Sequence, residues 1–161
     1  MLEAHALSHL HAGDAHLSVV ASFEERQKSR YRTHTEDGQA LGWFLPRGYV
    51  LREGDVLLCT NGAKVLVRCA DEAVSEVRAK DSLGLLRAAY HLGNRHVALQ
   101  VSEHFLRYQQ DHVLDAMIEG LGLKVQHCAA PFQPESGAYS QGHAHSHAHD
   151  DGHSHSHSHD H

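Results

Sequence analysis

The sequence contains few cysteines, no long apolar run and no lysine or arginine after Lys124. Its three cysteines, Cys59, Cys69 and Cys128, are odd in number and widely spaced, which argues against a disulfide framework and indicates reduced thiols. No run approaches the roughly 18 apolar residues that a membrane-spanning helix needs. The N-terminal residues have neither the basic start nor the apolar centre of a secretory signal. These absences predict a small cytoplasmic protein with no membrane contact.

Charge and motifs exclude further classes. The first 124 residues hold 14 Lys and Arg against 16 Asp and Glu, and residues 125–161 add four acidic residues, for a formal net charge of −6. A protein that binds phosphate backbones needs a basic face, so we predict no nucleic-acid partner. The chain also lacks a nucleophile motif, a phosphate-binding loop and a dinucleotide fingerprint, and we therefore predict that it is not an enzyme.

Short apolar segments separated by turn signals occupy the chain up to about residue 73. The Asn61-Gly62 pair between two of them predicts a tight hairpin, because such a turn needs positive φ at its centre. The arginine-rich segment from Arg26 to Arg32 is predicted to be an exposed strand or loop. We predict a small all-β domain over residues 1–73. The apolar segments are LSVVASF, ALGWFL, DVLLCT and KVLVRC.

The periodicity changes in the second half. A short strand is predicted over 74–80, followed by a helix that Asp81 or Ser82 caps. Gly93 and Asn94 are predicted to end this helix with a left-handed cap. Two strands follow, VALQVS and HFLRYQ.

Asp111 then caps a second helix, HVLDAMIEGLG, and LKVQHCA forms a last strand. The order β-α-β-β-α-β is typical of a ferredoxin-like domain, which we assign to residues 74–133. The predicted fold class is α+β.

Residues 134–161 contain no branched aliphatic residue and many Gly, Ser and His, so they are predicted to form a disordered tail. Imidazole is the commonest protein ligand for nickel, zinc and copper, and the composition does not choose among them. A purification tag usually has consecutive histidines, whereas here they alternate with small residues. The predicted ligands are His143, His145, His147, His149, His153, His155, His157, His159 and His161.

Other histidines allow two interpretations. In the N-terminal cluster of His5, His9, His11 and His16, the first three are either a weak metal site or part of a frayed, solvated start of the chain, and the second is favoured. His91 falls in the last turn of the first predicted helix, where a positive charge is favourable, so it is interpreted as structural.

Four ordered blocks carry a resemblance to a known family. They are LPRGYVLREGDVL at 45–57, YHLGNRH at 90–96 followed by VALQV, RYQQDHVLDAMIEGLGL at 107–123, and PFQPESGAY at 131–139. With the histidine-rich end, they make the chain resemble the UreE family of urease accessory proteins, which are nickel metallochaperones.

The resemblance implies an N-terminal domain similar to a peptide-binding domain, and a ferredoxin-like metal-binding domain that forms a homodimer. It implies that His96 of each subunit shares one metal ion at the dimer interface. From the residues alone, the favoured interpretation of His96 is a capping or turn histidine that makes a hydrogen bond. The implied cargo is Ni(II), with Zn(II) or Cu(II) as competitors. The implied partners are the urease accessory GTPase and the apo-urease accessory complex.

One position departs from the family pattern. Other members often carry histidines where this chain has Gln109 and Gln110, and glutamine is a feeble ligand for such metals. His112 is then the remaining candidate for a secondary site. It is equally interpreted as a histidine at a helix start, bonded to solvent or to Asp111.

Two rival functions stay open. A general nickel or zinc store, with the tail as its main site, predicts that removing the tail abolishes function, whereas a chaperone would lose only capacity. A peptide-binding chaperone predicts binding to apo-urease complexes without metal.

Overall fold

Each half of the chain builds a separate β-sheet with its own apolar core, so the fold is mixed α+β with two domains. The computed structural model describes residues 1–8 and 12–137. The first sheet contains β1 (Leu2–Leu7), β2 (Leu17–Ala21), β3 (Arg30–His34), β4 (Ala40–Phe44), β5 (Val56–Cys59) and β6 (Lys64–Cys69). The second contains β7 (Asp71–Arg78), β8 (Gln100–Val101), β9 (Leu106–Gln109) and β10 (Lys124–Pro131). The α-helices are α1 (Phe23–Arg26), α2 (Ser82–Asn94) and α3 (His112–Gly120).

The first sheet has the strand order β2-β6-β5-β1-β4-β3. The pairs β1–β4 and β2–β6 are parallel, whereas β5 and β6 form the predicted antiparallel hairpin. In its turn, positive φ is confined to Gly62 (84°), whose N–H donates to the Cys59 carbonyl at 2.9 Å. The hairpin prediction from Asn61-Gly62 is therefore confirmed.

Alternate residues of these strands face one core, as a period of two requires. Trp43 is fully buried there and its indole N–H donates to the Lys28 carbonyl at 2.9 Å. Strand β1 was not predicted, although Leu2 and Ala4 alternate with Glu3 and His5 as in a half-buried strand. The buried members of this core are Leu2, Ala4, Val19, Ala21, Leu41, Trp43, Leu45, Leu51, Leu57, Cys59, Val65 and Val67.

The second domain has the element order β-α-β-β-α-β and an antiparallel sheet in the order β10-β7-β9-β8. Asp81 and Asp111 are the N-caps of α2 and α3, as predicted, and their carboxylates accept backbone N–H groups of the first turn. The helices bury one face each against the sheet. Their buried residues are Ala88, Leu92, Leu114 and Ile118, and the strand residues beneath them include Val77, Leu106 and Tyr108.

Two strands of this domain are shorter than predicted. Only Gln100 and Val101 of VALQVS pair with β9, through Arg107 and Leu106. Ser102 already belongs to the turn, because its N–H donates to the Phe105 carbonyl at 3.0 Å. The expected strand from residue 104 accordingly begins at Leu106.

The prediction that Arg26–Arg32 is exposed is wrong for Arg26. Ser22 caps the short helix α1, and Arg26 at its end is only 1% exposed. Its guanidinium donates to the carbonyls of Ala21 at 3.2 Å, Leu51 at 2.9 Å and Phe132 at 2.5 Å. Burial is tolerated because three acceptors converge on the five N–H groups of one side chain. Phe132 lies just beyond β10, so this contact joins the domains.

Aromatic packing completes the junction between the domains. The rings of Phe23 and Phe132 meet edge to face, with centroids 5.4 Å apart. The Phe23 N–H donates to the Glu72 carboxylate at 2.8 Å. We call Phe23, Arg26, Leu51 and Phe132 the junction. Within residues 1–8 and 12–137, no helix has the length and apolar character that spanning a bilayer requires.

Candidate metal centre

His96 lies directly after α2 in an unusual backbone conformation. Its φ of 55° is the one positive value for a residue other than glycine in the described part of the chain. Its N–H donates to the Gly93 carbonyl at 2.9 Å, so His96 closes the helix at the position where glycine is usual. The predicted left-handed cap at Gly93 and Asn94 is therefore wrong, because both residues still belong to the helix. For a side chain with a Cβ this conformation costs about 1–2 kcal/mol.

The His96 side chain is exposed, and it forms no hydrogen bond or ion pair with the residues that the structure describes. With no described partner, the neutral imidazole is available to a metal ion. Strain at an exposed, unpartnered side chain is typical of a functional residue. His91, one turn earlier, is half-buried and meets the Tyr90 ring edge-on at 5.3 Å, in agreement with a structural role.

His112 lies at the same end of the domain. It is the exposed first residue of α3. A cavity of about 340 Å³ separates the chain after His96, at Val97 and Ala98, from the segment Gln109–Asp111. We call the end that carries His96, Gln109, Gln110 and His112 the histidine end.

The polar neighbours of His112 are committed elsewhere. The Asp111 carboxylate accepts the N–H groups of Val113 at 2.8 Å and Leu114 at 3.1 Å. The Gln110 side-chain amide donates to the Val74 carbonyl at 3.3 Å. The Gln110 side chain is therefore bonded to strand β7, and the His112 imidazole has no partner among the described residues.

The described histidines do not assemble into a complete site. In residues 1–8 and 12–137, no group of three or more His, Cys, Asp and Glu is arranged to hold a metal ion. His5 is part of β1 and stacks on Phe44 with ring centroids 5.0 Å apart, so the expected frayed start is wrong at this residue. The His16 side chain is exposed to solvent. His9, His11 and the predicted tail ligands His143–His161 lie outside the described residues.

The cysteines are unsuited to metal binding. Cys59 and Cys69 are buried, as predicted, and Cys128 is half-buried in β10. Burial raises the pKa of the Cys69 thiol to about 11 and also raises that of Cys59. Thiolate is the form that ligates metal, so burial disfavours metal binding at both thiols.

Sequence reasoning overlooked His127 on β10. Its Nε2 lies 2.7 Å from the Asp115 carboxylate, whose other oxygen accepts the Tyr108 hydroxyl at 2.8 Å. Burial by itself raises the pKa of Asp115, but the hydrogen bonds from His127 and Tyr108 outweigh it and the pKa is lowered. No local signal predicts this pair, because the partners lie on different elements. His127 is committed to Asp115, whereas His96 is free to bind.

The last described residues run alongside the chain that follows His96. The Glu135 N–H donates to the Leu99 carbonyl at 2.8 Å, and the Gln133 N–H to the Gln100 side chain at 3.1 Å. The Arg52 guanidinium of the first domain donates to the Ser136 hydroxyl at 2.7 Å. The last described residues therefore lie close to the segment that follows His96.

Comparison with known proteins covers both domains. Family models described as the N-terminal and C-terminal domains of the UreE urease accessory protein match residues 2–70 and 72–161. A urease accessory protein UreE from Teredinibacter turnerae is 60% identical over 121 residues, covering 75% of this chain and 79% of the relative. The urease accessory protein UreE from Saccharophagus degradans is 56% identical over 123 residues, covering 76% of this chain and 73% of the relative. That from Alkalilimnicola ehrlichii is 52% identical over 128 residues, covering 80% and 78%. The chain thus belongs to the UreE urease accessory protein family.

Proposed function

We propose that the protein is a nickel metallochaperone, which captures Ni(II) and donates it during assembly of the urease metallocentre. The observation that carries this proposal is His96, an exposed, strained and unpartnered imidazole at the end of α2. Membership of a family of urease accessory proteins supports the urease assignment. Zn(II) and Cu(II) bind the same donor atoms and are expected competitors.

One histidine per chain leaves most of a coordination shell open. A second His96 from an identical subunit fills it in part, and an apolar stripe on α2 supports such a homodimer. Leu86 is 65% exposed and Tyr90 67%, and their spacing of four residues places them on one side of the helix. Large apolar side chains exposed in a row are typical of a surface that another protein covers.

An open shell also supplies the exit route. A partner that adds its own ligands draws the ion away, and we propose the urease accessory GTPase and the apo-urease accessory complex as these partners. The histidines of the predicted tail, residues 134–161, would capture nickel close to the histidine end and raise its effective concentration there. Imidazole ligates only in its neutral form, so nickel binding should weaken as the pH falls.

The proposal includes the domain assignment. We assign residues 1–73 to a β-rich, peptide-binding-like domain and residues 74–133 to a ferredoxin-like metal-binding domain. The second assignment is supported by the order β-α-β-β-α-β and the antiparallel sheet β10-β7-β9-β8. A cytoplasmic location and the absence of a nucleic-acid partner remain predictions from composition.

Calorimetric titration with nickel tests the metal site. A chain shortened after Tyr139 is compared with its His96→Ala variant and with His104→Ala as the matched control, because His104 is also exposed but lies in the β8–β9 turn. We expect one tight ion per dimer, lost in His96→Ala and kept in His104→Ala. A tight site that survives in His96→Ala would exclude His96 as the ligand.

The same titration separates the rival functions. If the shortened chain binds no nickel tightly while the full chain does, the protein is a store with its main site in the tail. Urease activity recovered from apo-urease and its accessory proteins provides the second readout. A chaperone loses this activity with His96→Ala, whereas a peptide-binding chaperone keeps it and binds the apo-urease complex without metal.

A further inference from the structure

The second domain carries a cavity of about 770 Å³ at the end opposite to the histidine end. It lies where β7 ends, α2 begins and β10 begins. Strand β7 connects the two ends, because the Ala73 carbonyl accepts the Gln110 N–H whereas Arg78 lines the cavity. Five residues of strand separate these points, or roughly 17 Å at about 3.3 Å per residue.

Four basic side chains line this cavity, and three of them have no acidic partner. Arg78 is paired, with its Nε 2.7 Å from the Glu76 carboxylate. Lys80, Arg87 and Lys124 are exposed and form no ion pair with any residue that the structure describes. We call the space that they line the basic cavity.

The acidic residues of the basic cavity do not neutralise these three cations. The Arg107 Nε lies 2.7 Å from the other oxygen of the Glu76 carboxylate, so each oxygen of Glu76 pairs with one arginine. The Asp81 carboxylate accepts the Gly84 N–H at 2.8 Å and thereby caps α2. The lining therefore holds four basic side chains against two carboxylates, and this excess of positive charge favours an anionic occupant.

The floor of the basic cavity is apolar. Leu83 is 52% exposed, and Leu123 and Ala79 lie beside it. A Cβ at Gly84 would lie 2.7 Å from the Ala79 Cβ, so the start of α2 packs directly on the end of β7 and the floor is fixed. A ring of cations around an apolar floor suits a ligand that is both acidic and apolar.

We propose that the basic cavity is the docking site for an acidic, amphipathic segment of a partner protein. Carboxylates of the segment would pair with Lys80, Arg87 and Lys124, and an apolar side chain would cover Leu83. A lone phosphate would leave most of the volume empty, and no aromatic side chain lines the cavity to stack on a nucleobase. The net charge of −6 repels an acidic segment from the protein as a whole, so docking depends on the local excess of basic side chains at this cavity.

The location has a consequence for nickel delivery. If the protein is a chaperone, as proposed above, a partner held at the basic cavity leaves the histidine end free. Docking and metal transfer would then use opposite ends of one domain.

The test uses the full chain and a fluorescein-labelled peptide of Glu, Asp and Leu, with binding followed by fluorescence anisotropy. The variant K80E/K124E removes two cations from the basic cavity. The control K28E/K64E changes the net charge equally, but its lysines lie in the first domain and already pair with Glu24 and Asp14. We expect Kd to rise about tenfold or more in the first variant and less than about threefold in the control. Wild-type affinity should also fall with added salt.

Three outcomes would overturn the proposal. Equal weakening in both variants would indicate attraction by net charge alone. Undiminished binding of a peptide with serine in place of leucine would remove the role of the apolar floor. Displacement of the peptide by inorganic phosphate at equal concentration would indicate a small-anion site. Nickel titration of the same variants tests the proposed function separately from peptide binding. If no tight nickel binding is found, the proposed function is refuted, and the peptide result still stands.

Discussion

Arg26 and His96 differ in their exposure to solvent and in the hydrogen bonds of their side chains. Arg26 is 1% exposed, and three carbonyl oxygens accept its N–H groups, one from nearby Ala21 and two from the distant Leu51 and Phe132. His96 is exposed and has a positive φ, and its side chain forms no hydrogen bond with any described residue. Arg26, Leu51 and Phe132 of the junction are buried, whereas His96 and His112 of the histidine end are exposed.

The difference shows where this fold accepts a local cost. An unpaired buried polar group costs about 1–3 kcal/mol, and the three hydrogen bonds of Arg26 avoid that cost. Exposed polar groups are not constrained in this way, so the strained histidine persists without a partner. Removing Arg26 should therefore harm folding, and removing His96 should harm function without harming folding.

The largest effect is expected from Arg26→Ala. This change removes the Arg26 donor from the buried carbonyls of Leu51 and Phe132, whereas the Ala21 carbonyl still accepts the Ala70 N–H. We expect a loss of about 3–5 kcal/mol in the free energy of unfolding. Urea denaturation measures it.

Arg32→Ala is the control for Arg26→Ala, because Arg32 is exposed on β3. It should change the free energy by less than about 0.5 kcal/mol. Similar losses for both arginines would contradict the importance of the junction.

Glu76→Gln tests a second buried charge that is fully partnered. Burial by itself raises the pKa of Glu76, but the hydrogen bonds from Arg107 and Arg78 outweigh it and hold the pKa below 4.5. Because the folded pKa lies below the unfolded value, the carboxylate stabilises the fold above about pH 4.5, and this contribution disappears as the pH falls through the folded pKa. We expect a loss of about 1–2 kcal/mol at pH 7.

Unfolding at several pH values measures this contribution. The gap between wild type and Glu76→Gln should be constant near neutral pH and shrink below about pH 4.5. The control Glu103→Gln changes a fully exposed side chain and should show no gap. A gap that persists in acid would mean that the charge of Glu76 is not its source.

The smallest effect, opposite in sign, is expected at His96. Glycine adopts positive φ freely, so His96→Gly should be more stable than His96→Ala by roughly 1 kcal/mol. Both variants should lose tight nickel binding. Arg95→Gly is the control, because Arg95 has a φ of −85° and glycine brings no relief there. If His96→Gly is no more stable than His96→Ala, the backbone strain at His96 is absent.

Much of the fold follows from local signals in the sequence. Asp81 and Asp111 mark helix starts because their carboxylates bond to nearby N–H groups, and Gly62 marks a hairpin because the turn needs positive φ. Strand β10 follows from the residues of LKVQHCA. Each of these features is determined within a few residues, which is why sequence reasoning found them.

The missed features depend on distant residues. Arg26 looked exposed because one of its acceptors, Phe132, lies 106 positions away. The parallel pairs β1–β4 and β2–β6 likewise have no local signature. At the histidine end, family resemblance indicated His96, but nothing local predicts a positive φ at a histidine. His127 escaped notice because Asp115 reaches it from another element.

The Arg26–Phe132 contact also has a consequence for synthesis on the ribosome. The first domain contains Arg26, but one of the three acceptors of that side chain is translated only when β10 is complete. Until then a charged group of the nascent first domain lacks part of its native bonding. The two domains therefore cannot mature one after the other as independent units, since the earlier one is finished only by the end of the later one.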